Sequence, residues 1–180
     1  MESMGRITFF IRSKRNNDNT MEQEQLQLNA HNKAEFPPMH TAEHLLNQTM
    51  VRMFGCERSH DAHIERKKSK INYVLPQEPT PEQIAKIEST MNELIEANLP
   101  VTYEFVNRHN VPADIPLDKL PNDASETLRI VRIGTYDACA CIGTHVESTG
   151  QIESFRITST SWKSPVFRIV FKVGAAENKA

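Results

Sequence analysis

The sequence lacks the bulk features that would decide its role by themselves. No sign of charge dominates: 21 Lys and Arg stand against 23 Asp and Glu, for a net charge of −2. There is no global basic field, so a nucleic-acid partner has to be met by a local patch. No run of about 18 apolar residues occurs, which excludes a membrane-spanning helix. Cysteines number three, and an odd count argues against a disulfide framework. They read instead as reduced thiols or metal ligands, which places the protein in a reducing compartment, the cytoplasm. The first residues, M-E-S-M-G-R-I-T-F-F-I-R-S-K-R, hold only a short apolar core with no small-residue cleavage site behind it, so no signal peptide is expected. Internal repeats and nucleotide-binding fingerprints are absent too.

What is present fits an ordinary globular chain. The 180 residues are 38% apolar and 24% charged. That length suits one domain, or two small ones. Residues 5–12 alternate as a short strand. Residues 13–38 are polar and read as an arm or linker, with one helical turn near Glu22–Leu28. The pattern predicts a helix over 39–54, opened by Pro37-Pro38 and stopped by Gly55. Residues 60–75 read as two strands around a basic turn. A second helix begins at Thr80-Pro81 and ends near Asn98. Strands are expected at Val101–Val106, Leu128–Ile133, Ile152–Thr158 and Val166–Val173. Three prolines make 110–124 a loop. This order predicts an α+β fold: an antiparallel sheet with two helices packed on it, 1–38 forming a strand and arm, and 39–180 the domain proper.

Two pairs of residues carry the chemistry. His40 and His44 are four apart on the first helix, which puts both rings on one face about 5–6 Å apart. Cys141 and His145 repeat the same spacing much later. Each pair has an ordinary reading as core or surface side chains. Together they complete one N3S donor set of the kind zinc takes, structural if all four positions close and catalytic if one stays open or the ion expands to five. The first pair is not H-E-x-x-H, so the metalloprotease arrangement is absent.

The surroundings of these pairs are specific. H-T-A-E-H-L-L resembles the H-T-x-x-H-L-L motif of alanyl-tRNA synthetase editing domains and their stand-alone AlaX-type relatives. C-I-G-T-H-V-E-S-T-G-Q-I-E-S-F-R-I resembles their C-G-G-T-H-V-x-x-T-G-x-I-x-x-F-K-I segment. The threonyl-tRNA synthetase editing domain shares both pairs but usually lacks the T-H-V…T-G form. The resemblance covers residues 39–173. It implies a threonyl/alanyl-tRNA synthetase editing-domain-like fold, Zn2+ held by His40, His44, Cys141 and His145, and hydrolysis of the ester that joins a wrong amino acid to tRNA. For such a family the substrate is seryl- or glycyl-tRNA specific for alanine. The zinc either polarises the carbonyl or lowers the pKa of a bound water. Two departures stand out: Ile142 replaces the first glycine of C-G-G-T-H, and S-H-D-A-H-I replaces a glycine-containing segment.

Other residues join the site as expectations. His60, Asp61 and His63 lie in that altered segment, and a histidine there can act as a general base; an alternating strand with one histidine outward is the plainer reading. Thr41 and Glu43 lie between the first two ligands, where either can orient a ligand or the substrate; Thr41 is counted with the catalytic candidates, and Glu43 is expected in solvent. Asp137 matches an acidic residue often found in AlaX-type proteins and either binds an amino group or holds a ligand histidine. Thr144 either offers a hydroxyl to the pocket or completes the turn. Arg66, Lys67, Lys68 and Lys70 form the one strong basic run and suit phosphates of a tRNA acceptor end, with Arg156, Lys163 and Arg168 extending it. Trp162 is read as rim or core packing. The leading expectation is a zinc-dependent trans-editing hydrolase. A tRNA- or partner-binding module with a structural zinc is the alternative, and a zinc hydrolase for another ester or amide a third. Oligomeric state is not readable.

Overall fold

The computed structural model describes residues 36–117 and 125–177, with the backbone of Phe9–Ile11 and Glu24–Leu26. Helix α1 spans Pro37–Phe54. Two prolines in its first turn cost nothing, because those N–H groups have no helical partner anyway. Gly55 ends it at φ 63, its N–H donating to the Val51 carbonyl. Helix α2 spans Pro81–Glu96 and opens with a full capping box between Thr80 and Gln83. The two helices differ in how they are covered. Only Ile87, Met91 and Ile95 of α2 are buried, a single stripe. Ten residues of α1 are buried, including His40, Thr41, His44, Asn47 and Thr49. A helix so enclosed has its polar side chains inside the protein, where each needs a partner.

Nine strands are described, all antiparallel: β1 Phe9–Ile11, β2 Glu24–Leu26, β3 Asp61–His63, β4 Ser69–Val74, β5 Val101–Asn107, β6 Thr127–Ile133, β7 Asp137–Ala140, β8 Phe155–Lys163 and β9 Val166–Val173. They form a two-stranded pair β1-β2, a four-stranded sheet in the order β3-β4-β9-β8, and a three-stranded sheet β5-β6-β7. The fold is α+β as expected, but the single expected sheet is two. Ile71 and Tyr73 of β4, Phe167, Ile169 and Phe171 of β9, and Val131 and Ile133 of β6 bury into one core with both helices. Ile115, Leu128 and Ile130 make a small second core on the other face of the three-stranded sheet.

Three local expectations are corrected. Glu24–Leu26 is extended and paired with β1, where a helical turn was expected at Glu22–Leu28. A single turn of helix is costly to nucleate, and a neighbouring strand supplies the backbone partners directly. Ile152 closes a 3₁₀ turn, Thr149–Ile152, and the strand expected from Ile152 starts at Phe155. Thr149 causes the delay. Its N–H donates to the Leu99 carbonyl, and its hydroxyl accepts from the Leu99 N–H and donates to the Leu94 carbonyl, pinning the turn to the end of α2. A Cβ on Gly150 would come within 2.5 Å of the Asn98 side-chain oxygen that accepts from the Gly150 N–H, so a larger residue would push Asn98 out of this bond. Strand β7 was not expected at all. The rest of the arm reading, and residues 118–124 of the 110–124 loop, lie outside the described residues.

Candidate metal centre

Helix α1 supplies His40 and His44 from one face. Cys141 follows directly on β7, and His145 comes four residues later in the segment that leads to the Thr149 anchor. One donor atom from each of His40, His44, Cys141 and His145 lies within 4.8 Å of the others. The three rings are in mutual contact, with centroids 4.1 to 4.9 Å apart. His40 and His44 are buried, while Cys141 and His145 are partly exposed, so the cluster has a closed side and an open side.

Hydrogen bonds fix which nitrogen of each ring faces inward. His40 Nδ1 lies 3.0 Å from the Thr144 carbonyl, which can only accept, so Nδ1 carries the proton. Its Nε2 is then a bare lone pair, 3.6 Å from Cys141 Sγ. His145 Nδ1 bonds the Thr41 hydroxyl at 3.0 Å, and that oxygen also accepts from the Val146 N–H. His145 Nε2 is buried with no hydrogen-bond partner. An orphaned buried nitrogen is costly unless something else takes its lone pair. His44 Nδ1 faces away from the cluster, 3.5 Å from Asp137 Oδ2 and 3.2 Å from Cys139 Sγ, which leaves its Nε2 for the cluster. Three imidazoles with Nδ1 held and Nε2 left over, plus one sulfur, fit a zinc-type ion in both ligand type and number.

The electrostatics agree. Burial pushes the Cys141 thiol up, but the close approach of His145, His40 and His44 outweighs it and brings the pKa down to about 2. It is a thiolate at neutral pH, the form that binds metal. Burial lowers His145 to about 4, so this ring is neutral and able to ligate. His44 is the exception. Burial opposes its charge, yet the Cys139 sulfur and the Asp137 carboxylate hold its pKa well above the ordinary imidazole value.

Asp137 belongs to a second buried group, with His44 and Cys139. Arg58 closes it, donating to Asp137 Oδ1 at 2.5 Å and Oδ2 at 3.3 Å. Burial raises Asp137, but His44 and the Arg58 guanidinium overcome this and hold it below the usual carboxylate range. Of the two roles expected for Asp137, the geometry matches holding a ligand histidine. Arg58 was not anticipated. Its signal in the sequence is nil, because nothing local marks an arginine for burial.

The remaining expected residues are placed as follows. Glu43 is not in solvent: its side chain is 15% exposed, accepts from Asn47 Nδ2 at 2.6 Å, and has Oε2 3.9 Å from His40 Nε2. The burial of α1 carries it inside. His60 and His63 are exposed at β3 and belong to neither donor group; His63 pairs with Glu65. Asp61 accepts from Asn72. Arg66, Lys67, Lys68 and Lys70 are exposed in the β3–β4 turn and the start of β4, Arg66 lying 4.8 Å over the Phe36 ring. Arg156, Lys163 and Arg168 are exposed on β8 and β9, Arg156 pairing with Glu177. Ile142 is half-buried, and Trp162 packs against the main core.

Comparison with known proteins follows the same residues. Residues 128–170 match the family described as Threonyl and Alanyl tRNA synthetase second additional domain. An alanine–tRNA ligase of Pyrobaculum arsenaticum is 31% identical over 144 residues, 76% of this chain. The chain is related to the second additional domain of alanyl-tRNA synthetases. An alanine–tRNA ligase of Latilactobacillus sakei is 33% identical to this synthetase-related chain over 124 residues, 68% of it, and one of Halorubrum lacusprofundi is 29% identical over 151 residues, 78% of it. The domain spans only 14 to 16% of the length of these ligases. No described helix is long and apolar enough to cross a membrane.

Proposed function

We propose that this chain is a zinc-dependent trans-editing hydrolase of the cytoplasm that deacylates mischarged tRNA, seryl- or glycyl-tRNA for alanine being the substrates. The observation that carries the reading is the convergence of His40, His44, Cys141 and His145, with an orphaned His145 Nε2, in a relative of alanine–tRNA ligases. A zinc ion held there would act as a Lewis acid or activate a water at the ester. The chain's own groups do the positioning. Thr41 and the Thr144 carbonyl hold the rings of His145 and His40, and Asp137 holds that of His44. Glu43, a sheltered acceptor with Oε2 3.9 Å from His40 Nε2, would be the carboxylate nearest the cluster to take a proton from a water bound there. His60 and His63 would meet the substrate from outside the donor cluster. Arg66, Lys67, Lys68 and Lys70 would contact acceptor-end phosphates.

Purified chain loaded with zinc is expected to deacylate seryl-tRNA specific for alanine faster than buffer and to spare alanyl-tRNA. Zinc-bound protein with no activity on seryl- or glycyl-tRNA would sink the reading. Ile142 beside the ligands favours the second reading, a tRNA-binding module with a structural zinc. In that case Cys141→Ala unfolds the domain, whereas in a hydrolase it abolishes activity with a modest loss of stability.

A further inference from the structure

The three-stranded sheet carries another feature on the face that holds the cysteines. Alternate residues share a face, and the register pairs Tyr103 with Val131 and Val131 with Cys139. Phe105 pairs with Arg129, whose carbonyl accepts from the Cys141 N–H. Tyr103, Phe105 and Arg129 therefore lie on the side of the sheet that ends in the metal centre. Val101 and Val131 of this face are buried in the main core, but Tyr103 is 45% exposed and Phe105 37%. The Arg129 guanidinium sits 4.8 Å from the Tyr103 ring centre. Its Nε donates to the Cys141 carbonyl at 2.8 Å and its Nη2 to the Gly143 carbonyl. Both acceptors are neutral, so among the described residues its hydrogen bonds leave the positive charge uncancelled. Arg129 is thus tied directly to the loop that carries two of the four donors, with the Tyr103 ring against it and Phe105 paired beside it.

We propose that Tyr103 and Phe105, flanked by Arg129, form a stacking platform for the terminal nucleobase of an RNA 3′ end whose aminoacyl ester lies at the metal centre. Any base has a π face to stack and carries a phosphate that suits a neighbouring cation. Two rings beside a charge are too small and too polar for the apolar core of a protein interface, which needs roughly 800 Å² per partner. The inference rests on the tRNA reading above, and its test separates the two.

The test uses uncharged acceptor-stem RNA ending in CCA, with 2-aminopurine as the terminal base, and the intact chain. Wild type should bind it and quench the fluorophore, and should bind the same RNA lacking the terminal base more weakly. Tyr103→Ala should weaken binding about 10- to 100-fold, abolish the quenching and remove the preference for the full-length end. Tyr103→Phe, which keeps the ring, should behave as wild type; together they control for misfolding. Deacylation of seryl-tRNA is measured in parallel. If wild type deacylates but Tyr103→Ala binds and quenches unchanged, the platform is wrong and the hydrolase reading stands. If quenching depends on the ring but no deacylation occurs, the platform stands and the hydrolase reading fails. Absence of binding by wild type, or a change of oligomeric state in Tyr103→Ala in place of an RNA effect, overturns the platform.

Discussion

His44 stands between two groups built from nearly the same residue types. On one side are His40, Cys141 and His145; on the other are Asp137, Cys139 and Arg58. Either side, taken by side-chain type alone, resembles a metal site. Arg58 decides between them. Its guanidinium occupies the carboxylate of the outer group, and a divalent ion there would face a fixed positive charge at close range in a poorly screened interior. The inner group has a thiolate, an orphaned nitrogen and an open side. One side is arranged to accept a cation, and the other already holds one and passes its effect inward through His44 Nδ1.

The strongest way to break that contrast is to remove the inner thiolate. Cys141→Ala should lower zinc affinity and deacylation by more than about 100-fold, beyond the range expected for outer partners. Titration against a metal-sensitive dye and the deacylation assay read both. Cys139→Ala should leave a stoichiometry of one ion; loss of bound zinc in that variant would place the ion on the wrong side of His44.

Asp137→Asn comes next. It should reduce zinc affinity about 10- to 100-fold by loosening His44 and destabilise the fold by roughly 3 kcal/mol, because Arg58 is left buried without its charge partner. Adding Arg58→Met should restore much of the stability and little of the metal affinity. Denaturant melts of both variants, with chelator competition, separate the two losses; parallel recovery of both quantities would contradict the assignment.

Proton counting sharpens the same point. At pH 7 Cys141 is already a thiolate and His145 already neutral, whereas His44 is raised. Among these three ligands His44 is the one whose shift favours holding a proton that zinc must displace, measurable by calorimetry in buffers of different ionisation enthalpy. Stability of the metal-free chain should follow. The His145 pKa of about 4 lies below its ordinary 6.5, so the unfolded chain binds more protons in that interval. The His145 contribution is complete above pH 6.5 and is lost as the pH falls through about 4. Asp137, also lowered, adds to the loss at still lower pH. His44 is raised, so its contribution is complete below 6.5 and is lost as the pH rises through its folded value. Cys141, lowered from 9.0 to about 2, adds stability as the pH rises toward 9 and offsets the His44 loss, so denaturant midpoints should climb most steeply between pH 4 and 6.5. The smallest effect is at the basic turn: Lys67→Ala and Lys68→Ala should each weaken tRNA binding a few-fold and reduce its salt slope by about one.

The inner group was legible in the sequence and the outer one was not. Ligand spacing is local, so H-x3-H and C-x3-H declare themselves, and Pro37, Gly55 and the Thr80 capping box mark their helices within a residue or two. Strand β7, which carries Cys139 and leads into Cys141, is only D-A-C-A and has no β-branched or aromatic residue to signal it. Arg58 and Glu43 are charged, and charge points to solvent until a tertiary partner appears. Asn47 and Asp137 are those partners, and they arrive from distant parts of the chain or from a buried helix face.

The two donor pairs are separated by about a hundred residues of chain, His40 to Cys141. During synthesis the histidine pair leaves the ribosome first and has no sulfur to complete it until the rest of the domain follows. A full coordination set thus exists only in a finished, correctly wound chain. Loading with metal would then mark completion, because a half-made or clipped chain holds only half of the donor set.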